Sequence, residues 1–318
     1  MANFKIINDR LILIQVAILF SYFTCIISSC TPNNKISRQA NNILLTNASI
    51  RPGHTGICIY EPATGKYWYE RQSGNYFIPA SNTKLFTLYA GLKYLGDSIT
   101  GLLYQKQQNG STHIIPTGDP TFLHPGFKNQ PVFSFLQSQE SIAIQLPPGQ
   151  FEVYGSGWAW DDYMESYMVP RSAFPMYGNM VDISRTSADS IHIFPEYFRE
   201  KAIHMTSYKN GFDVKREFYN NRLTISEGPL ENKKVPFHSD EETITGLLED
   251  RLKIKASFIN QGIDSGYFTP IYSRPSDSLF TPMMHNSDNY LAEQVLLMAG
   301  NTYLGRSEEH TSELQSLT

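Results

Sequence analysis

The segment from Phe77 to Gly96, FIPASNTKLFTLYAGLKYLG, has a Pro before a Ser and a Lys three residues after that Ser. On a helix, residues three apart share a face, so Lys84 can bring its amine to the Ser81 hydroxyl. A lysine acts as a base only when neutral, which requires desolvation or a neighbouring cation to lower its pKa. A serine at a helix start also has backbone N–H groups beside it to receive a developing oxyanion. The pattern suits a serine nucleophile with its own base. It is also short enough to arise by chance, and then Ser81 is an N-cap and Lys84 a solvated surface residue.

Far downstream, Ser287-Asp288-Asn289 gives S-x-N just before a helical pattern. A hydroxyl there can relay a proton between the lysine and a leaving amine. The Asn amide can hold both the lysine and a substrate carbonyl. The combination S-x-x-K, S-D-N and K-T-G is the signature of penicillin-binding proteins and class A β-lactamases. Another S-x-N, Ser73 to Asn75, precedes the S-x-x-K and falls in a hairpin, so it is set aside.

Beyond these short motifs, IPASNTKLFT and MMHNSDNYLAEQVLL resemble the nucleophile segment and second motif of one family. It is the class C low-molecular-mass penicillin-binding proteins, the D-Ala-D-Ala carboxypeptidase/endopeptidase family. GDPTF at Gly118 and GWAWDDYMESYMVPRSAFPMYGNM are similar to its intervening segments, and about 200 residues separate the two motifs, as in that family. The resemblance runs from about Ile50 to Gly300. It implies a mixed α/β fold of the serine β-lactamase/penicillin-binding-protein type: an antiparallel sheet with helices, and an inserted β-rich domain. It implies cleavage of D-Ala-D-Ala in peptidoglycan stem peptides. Ser81 would attack the carbonyl to form an acyl-enzyme, and Lys84 would take its proton. Ser287 would deliver a proton to the departing D-Ala, and Asn289 would position Lys84 and the substrate amide. β-Lactams would acylate Ser81 as covalent inhibitors, and no cofactor is implied. A non-catalytic wall-binding lipoprotein of the same fold is the alternative; the long insertion disfavours a β-lactamase.

One departure is the third motif. The only lookalike, His54-Thr55-Gly56, comes before Ser81, whereas the family places K-T-G on a strand after S-x-N. The stretch Arg306 to Ser316, RSEEHTSELQS, reads as a translated sequencing adapter, so residues 306–318 are expected to be non-native. A catalytic fold incomplete at its C-terminus, and a fragment inactive as it stands, are expected on that ground.

The elements that must position these residues show in the periodicity. HTGICIYEPATGKYWYERQSGNYF reads as a β-hairpin turning at Pro62 to Gly65, with Cys58 in its core. A helix follows from about Ser81, with Leu85, Leu88, Leu92 and Leu95 at helical spacing and Gly96 as its stop. Residues 97–235 are rich in Gly, Pro, Tyr, Ser and Asn, with candidate strands THIIPTG, FEVYG and SIHIFP. Helical texture returns at DEETITGLLEDRLKIKA. A strand, GYFTPIYS, and two helices broken at Asn286 to Asn289 complete the pattern. The expected division is a catalytic part at 48–96, the β-rich insertion at 97–235 and a second catalytic part at 236–305. Asp161-Asp162 is expected to shape the insertion's contact with the cleft.

Composition excludes several other functions. With 26 basic and 30 acidic residues and no basic stripe, nucleic acid is not an expected partner. The eight histidines form no H-E-x-x-H, and three cysteines form no paired motif, so no metal site is expected. Leu11 to Ile27 reads as the apolar region of an export signal after Lys5 and Arg10. Ile27-Ser28-Ser29-Cys30 resembles a bacterial lipobox, which makes Cys30 the lipidated first mature residue. Residues 1–29 are then the signal, residues 30–47 a tether, and the domain is periplasmic and lipid-anchored to a bacterial membrane.

Overall fold

The structure is a computed structural model that describes residues 32–50, 52–147, 151–187, 190–205, 212–226, 231–259 and 267–304. The signal segment, Cys30 and residues 306–318 lie outside the described residues. The chain forms two compact units, residues 1–78 and 79–318.

In the first unit, the stretch read as a tether is helical. Helix α1 (Pro32–Ala40) opens with Pro at its first position, where a missing N–H costs nothing, and a π-helical turn follows at Asn41–Leu45. The expected hairpin is present: β1 (Ile57–Glu61) pairs antiparallel with β2 (Lys66–Arg71), and Gly65 takes a left-handed φ of 66° in the turn. Cys58 is not in a core; its side chain is exposed. The two strands pair only with each other among the described residues.

The second unit opens with a 3-10 turn, Ala80–Thr83, and helix α2 (Lys84–Tyr94). Leu95 caps the helix and Gly96 ends it at a φ of 69°. The expected leucine stripe is only half buried. Leu88 and Leu95 pack inward, while Leu85 and Leu92 remain 58% and 57% exposed. The buried face is set by Lys84, Thr87 and Gly91 instead. A Cβ at Gly91 would come within 2.8 Å of the Phe280 ring and 3.0 Å of Val295, so glycine lets the helices approach closely.

The largest sheet joins β3 (Ser98–Lys106), β4 (Thr112–Pro116) and β5 (Ser141–Ile144) to two later strands. Strands β3 and β4 form an antiparallel hairpin, and α3 (Pro131–Gln137) lies on the crossover from β4 to parallel β5. The β-rich region continues with β6 (Met180–Ser187) and β7 (Ser190–Phe194), then β8 (Ala202–Met205), β9 (Val214–Arg216), β10 (Leu223–Ser226) and β11 (Asn232–Pro236). These make two three-stranded sheets, ordered β11-β6-β7 and β8-β10-β9. FEVYG forms no strand. Arg171 occupies its backbone instead, its N–H on the Val153 carbonyl at 2.9 Å and its guanidinium on that of Tyr154 at 3.3 Å.

Helix α4 (Glu241–Leu252) starts at an Asp240 cap that accepts from Thr243 N–H at 2.7 Å, and ends at left-handed Lys253. Strand β12 (Lys255–Phe258) then pairs parallel with β5, and β13 (Thr269–Pro275) antiparallel with β3. The order of the five-stranded sheet is β12-β5-β4-β3-β13, so one sheet takes strands from both sides of residue 235. Helices α5 (Asp277–His285) and α6 (Asn289–Leu304) follow with the expected break between them. Ile99, Val169, Leu279, Phe280, Met283 and Val295 form the apolar cluster beneath that break. Each such side chain contributes about 1.5–3 kcal/mol by burial, which anchors the corner where S-x-N sits.

Candidate active site

Ser81 lies within the 3-10 turn and caps no helix; Thr83 precedes α2 and sends its hydroxyl to the Ala80 carbonyl at 2.8 Å. Lys84 is the first residue of α2, one turn beyond Ser81, and is only 6% exposed. Its Nζ stands 3.3 Å from Ser81 Oγ and donates to Asn289 Oδ1 at 2.6 Å. Ser287 Oγ is 2.8 Å from Ser81 Oγ. The structure thus brings together all four residues singled out in the two motifs.

The S-x-N corner has a definite local cause. Asn286 caps α5, and the Ser287 and Asp288 N–H groups bond back to the Met284 and Met283 carbonyls at 3.4 and 3.0 Å. That is a Schellman motif with Ser287 at the left-handed position usually given to glycine; its φ is 52°. Asp288 then caps α6, its Oδ1 accepting from Leu291 N–H at 2.9 Å. Asn289 enters the first turn with its amide oxygen facing Lys84. The left-handed backbone costs a side chain on the order of 1 kcal/mol. Ser287→Gly is therefore expected to be more stable than Ser287→Ala by about that amount, both lacking the hydroxyl. Thermal melts of the two variants decide it, and equal stability would contradict the strained backbone.

Burial lowers the Lys84 pKa below its ordinary 10.5, and the Asp288 and Glu293 carboxylates push it back up. Glu293 faces Arg171 at 3.8 Å, which draws off part of its influence. The net downward direction is what a lysine needs to accept a proton.

Of the residues that hold this corner, sequence reasoning singled out Asp162 but missed Tyr167 and Gln294. Asn289 Nδ2 donates to the Tyr167 carbonyl at 3.4 Å. Asp162 accepts from the Tyr167 phenol, which lifts that phenol to about 12. Gln294 is fully buried in α6 and satisfies all its hydrogen-bonding groups. Its Nε2 donates to Gly118 O at 2.8 Å and Ser172 O at 2.9 Å, and its Oε1 accepts from Ser172 N–H at 3.0 Å. An amide beside Glu293 inside the otherwise apolar run YLAEQVLLMAG was the available signal. Gln294 docks the GDPTF and VPRSAF segments on the helix that carries Asn289. Gln294→Leu would strand three backbone groups and is expected to destabilise the fold by on the order of 3 kcal/mol. Urea unfolding measures this, and a loss below about 1 kcal/mol would overturn the docking role.

His54, of the H-T-G lookalike, belongs to the first unit, where its ring stacks on Phe77 at 4.4 Å.

Comparison with known proteins decides the family. The model of the D-Ala-D-Ala carboxypeptidase 3 (S13) family matches residues 38–318. The chain belongs to this family. A D-alanyl-D-alanine carboxypeptidase of Actinomadura sp. (strain R39) is 36% identical over 59 residues, 19% of this chain and 11% of that protein. The crystal structure of penicillin binding protein 4 (dacB) from Haemophilus influenzae matches 82% of this S13 chain with a TM-score of 0.62 at 20% identity. A second structure of that protein, complexed with a β-lactam, matches with a TM-score of 0.57 at 18% identity. These likenesses show the fold, a mixed arrangement of helices and sheets of the penicillin-binding-protein type. The S13 chain spans 65% and 64% of the two solved chains.

Proposed function

We propose that this S13 chain carries the nucleophile, base and relay of a serine-type D-Ala-D-Ala carboxypeptidase/endopeptidase that works through an acyl-enzyme. The observation that carries the reading is the triangle around Ser81: Lys84 Nζ at 3.3 Å, Ser287 Oγ at 2.8 Å, and Lys84 tied to Asn289 at 2.6 Å. Neutral Lys84 takes the Ser81 proton as Oγ attacks the penultimate D-Ala carbonyl. The C–N bond to the terminal D-Ala breaks, and Ser287, in contact with Ser81, passes a proton to the departing amine. Water then attacks the ester, releasing the shortened peptide. A cross-link presents the same bond, so endopeptidase action uses the same atoms. A β-lactam offers its ring amide to Ser81 and leaves a stable ester. The matched structure with a β-lactam bound supports this.

The reading places the protein outside the cytoplasm, held by a lipid on Cys30; the Ile27-Ser28-Ser29-Cys30 pattern supports the anchor. Among the described residues no helix is long and apolar enough to cross a membrane. The test is labelled penicillin added to the gene product, followed by mass spectrometry of its peptides. The label is expected on the peptide containing Ser81 and absent in Ser81→Ala, and its appearance would overturn the expectation of an inactive fragment. Label on another residue, or none, would sink the proposal. Cells fed labelled fatty acid are expected to label the protein but not Cys30→Ser.

A further inference from the structure

A cleft of about 530 Å3 opens between the loop of residues 123–130 that follows GDPTF, the turn before β6, the end of β7 and the end of α4. Its walls are built with care. Tyr177, Gly178 and Asn179 are three consecutive left-handed residues. Fully buried Asn179 holds the turn, donating to Pro170 O at 2.9 Å and accepting from Met176 N–H at 3.2 Å. A Cβ on Gly178 would fall 2.8 Å from His124, so the bare backbone lets that imidazole lie against it.

The chemistry facing the cleft is specific. Phe194 is 42% exposed, with its ring 5.3 Å from that of Tyr177 at 88°. Burial pushes the Tyr177 phenol up to about 12, so it is a neutral donor, and its O–H has no partner among the described residues. His124 Nδ1 accepts from Gly126 N–H at 3.0 Å, which puts the proton of the neutral ring on Nε2, a second donor. Burial keeps this imidazole neutral, lowering its pKa, although Asp288 opposes this. The charged rim is already paired: Glu196 with Arg199 at 2.9 Å, and Asp250 with Lys253 at 3.0 Å. The Arg251 guanidinium lies 4.9 Å over the Phe133 ring.

Arg251 is the one cleft charge without a carboxylate partner among the described residues, and its N–H groups can also donate to a hydroxyl, while a purely apolar ligand would strand this cation and two neutral donors. An exposed aromatic ring, two neutral donors and carboxylate acceptors at the rim match a ring with an apolar face and hydroxyls around its edge. We propose that this cleft binds a neutral saccharide, separately from the Ser81 centre. Which saccharide depends on the function proposed above: the neutral N-acetylated sugars of the polymer whose peptides Ser81 would cleave.

The test is calorimetric titration of the gene product with the tetramer of N-acetylglucosamine. Saturable binding is expected with a Kd on the order of 1 mM. Phe194→Ala, at an exposed position, is expected to weaken it roughly tenfold, and Tyr177→Phe roughly threefold. Ser81→Ala is expected to bind as the parent does, so this result stands or falls apart from the nucleophile. No saturation up to about 20 mM, or an unchanged affinity in Phe194→Ala, would overturn the proposal. Loss of binding in Ser81→Ala would place the sugar at the catalytic centre and overturn it too.

Discussion

Replacing Lys84 by Arg is expected to lower the rate of Ser81 acylation by roughly a thousandfold while leaving the fold intact. Arginine keeps the positive charge and can still donate to Asn289, but it cannot give up its proton at any working pH. If Lys84 served only as a cation near Ser81, arginine would replace it at modest cost. A general base contributes about 10²–10⁴ to rate, and that whole contribution goes when the group cannot be neutral. The pH profile separates the two roles further. On the proposed mechanism acylation by the parent requires neutral Lys84, so its rate is expected to rise with pH through the pKa of this buried lysine, which lies below the ordinary 10.5. Lys84→Arg has no such limb. Stopped-flow labelling with a chromogenic β-lactam across pH gives both the rate and the limb. A tenfold loss or less, with the limb preserved, would remove Lys84 from the base role.

How far this centre could be read from the sequence depends on the range of its causes. The S-x-x-K pair is a one-turn relation and local spacing exposes it; the S-D-N motif was legible too, though not the Schellman corner and Asp288 cap that shape it. The helix break at Asn286 to Asn289 was readable for the same reason. What local spacing could not show is which side of α2 is buried. Leu85 and Leu92 looked like core, yet the helix packs through Gly91 because Phe280 and Val295, nearly 200 residues later, press on it. The role of Gln294 was hidden for the same cause: its three partners are 122 to 176 residues away, and only its polar character in an apolar run marked it. Cys58 shows the opposite limit. Strand pairing was legible, but whether a ribbon's face is covered depends on what packs over it.

Asn289→Asp, which keeps shape and changes charge, is expected to make the protein slower and more stable together. In the parent, Lys84 pays for its burial: its pKa is lowered in the folded state, so the unfolded chain binds the proton more tightly. Stability therefore rises with pH through the window between the lowered folded-state pKa and 10.5, and the full cost is felt below that window. An aspartate in place of the amide would set a carboxylate at hydrogen-bond distance from the ammonium, where the parent has Oδ1 at 2.6 Å. The opposite charge favours the protonated amine, which removes the cost and also removes the base. Acylation at pH 7 is expected to fall roughly ten- to a thousandfold and to recover as pH is raised. The melting temperature at pH 7 is expected to rise, as happens when a destabilised active-site group is relieved. Acylation rates from pH 6 to 10 and melts at the same pH values test both halves. A variant that is slow but no more stable would mean that Asn289 acts on the substrate alone. One that is stable and fast would mean that Lys84 is charged when Ser81 reacts, and the proton would then have to leave through Ser287.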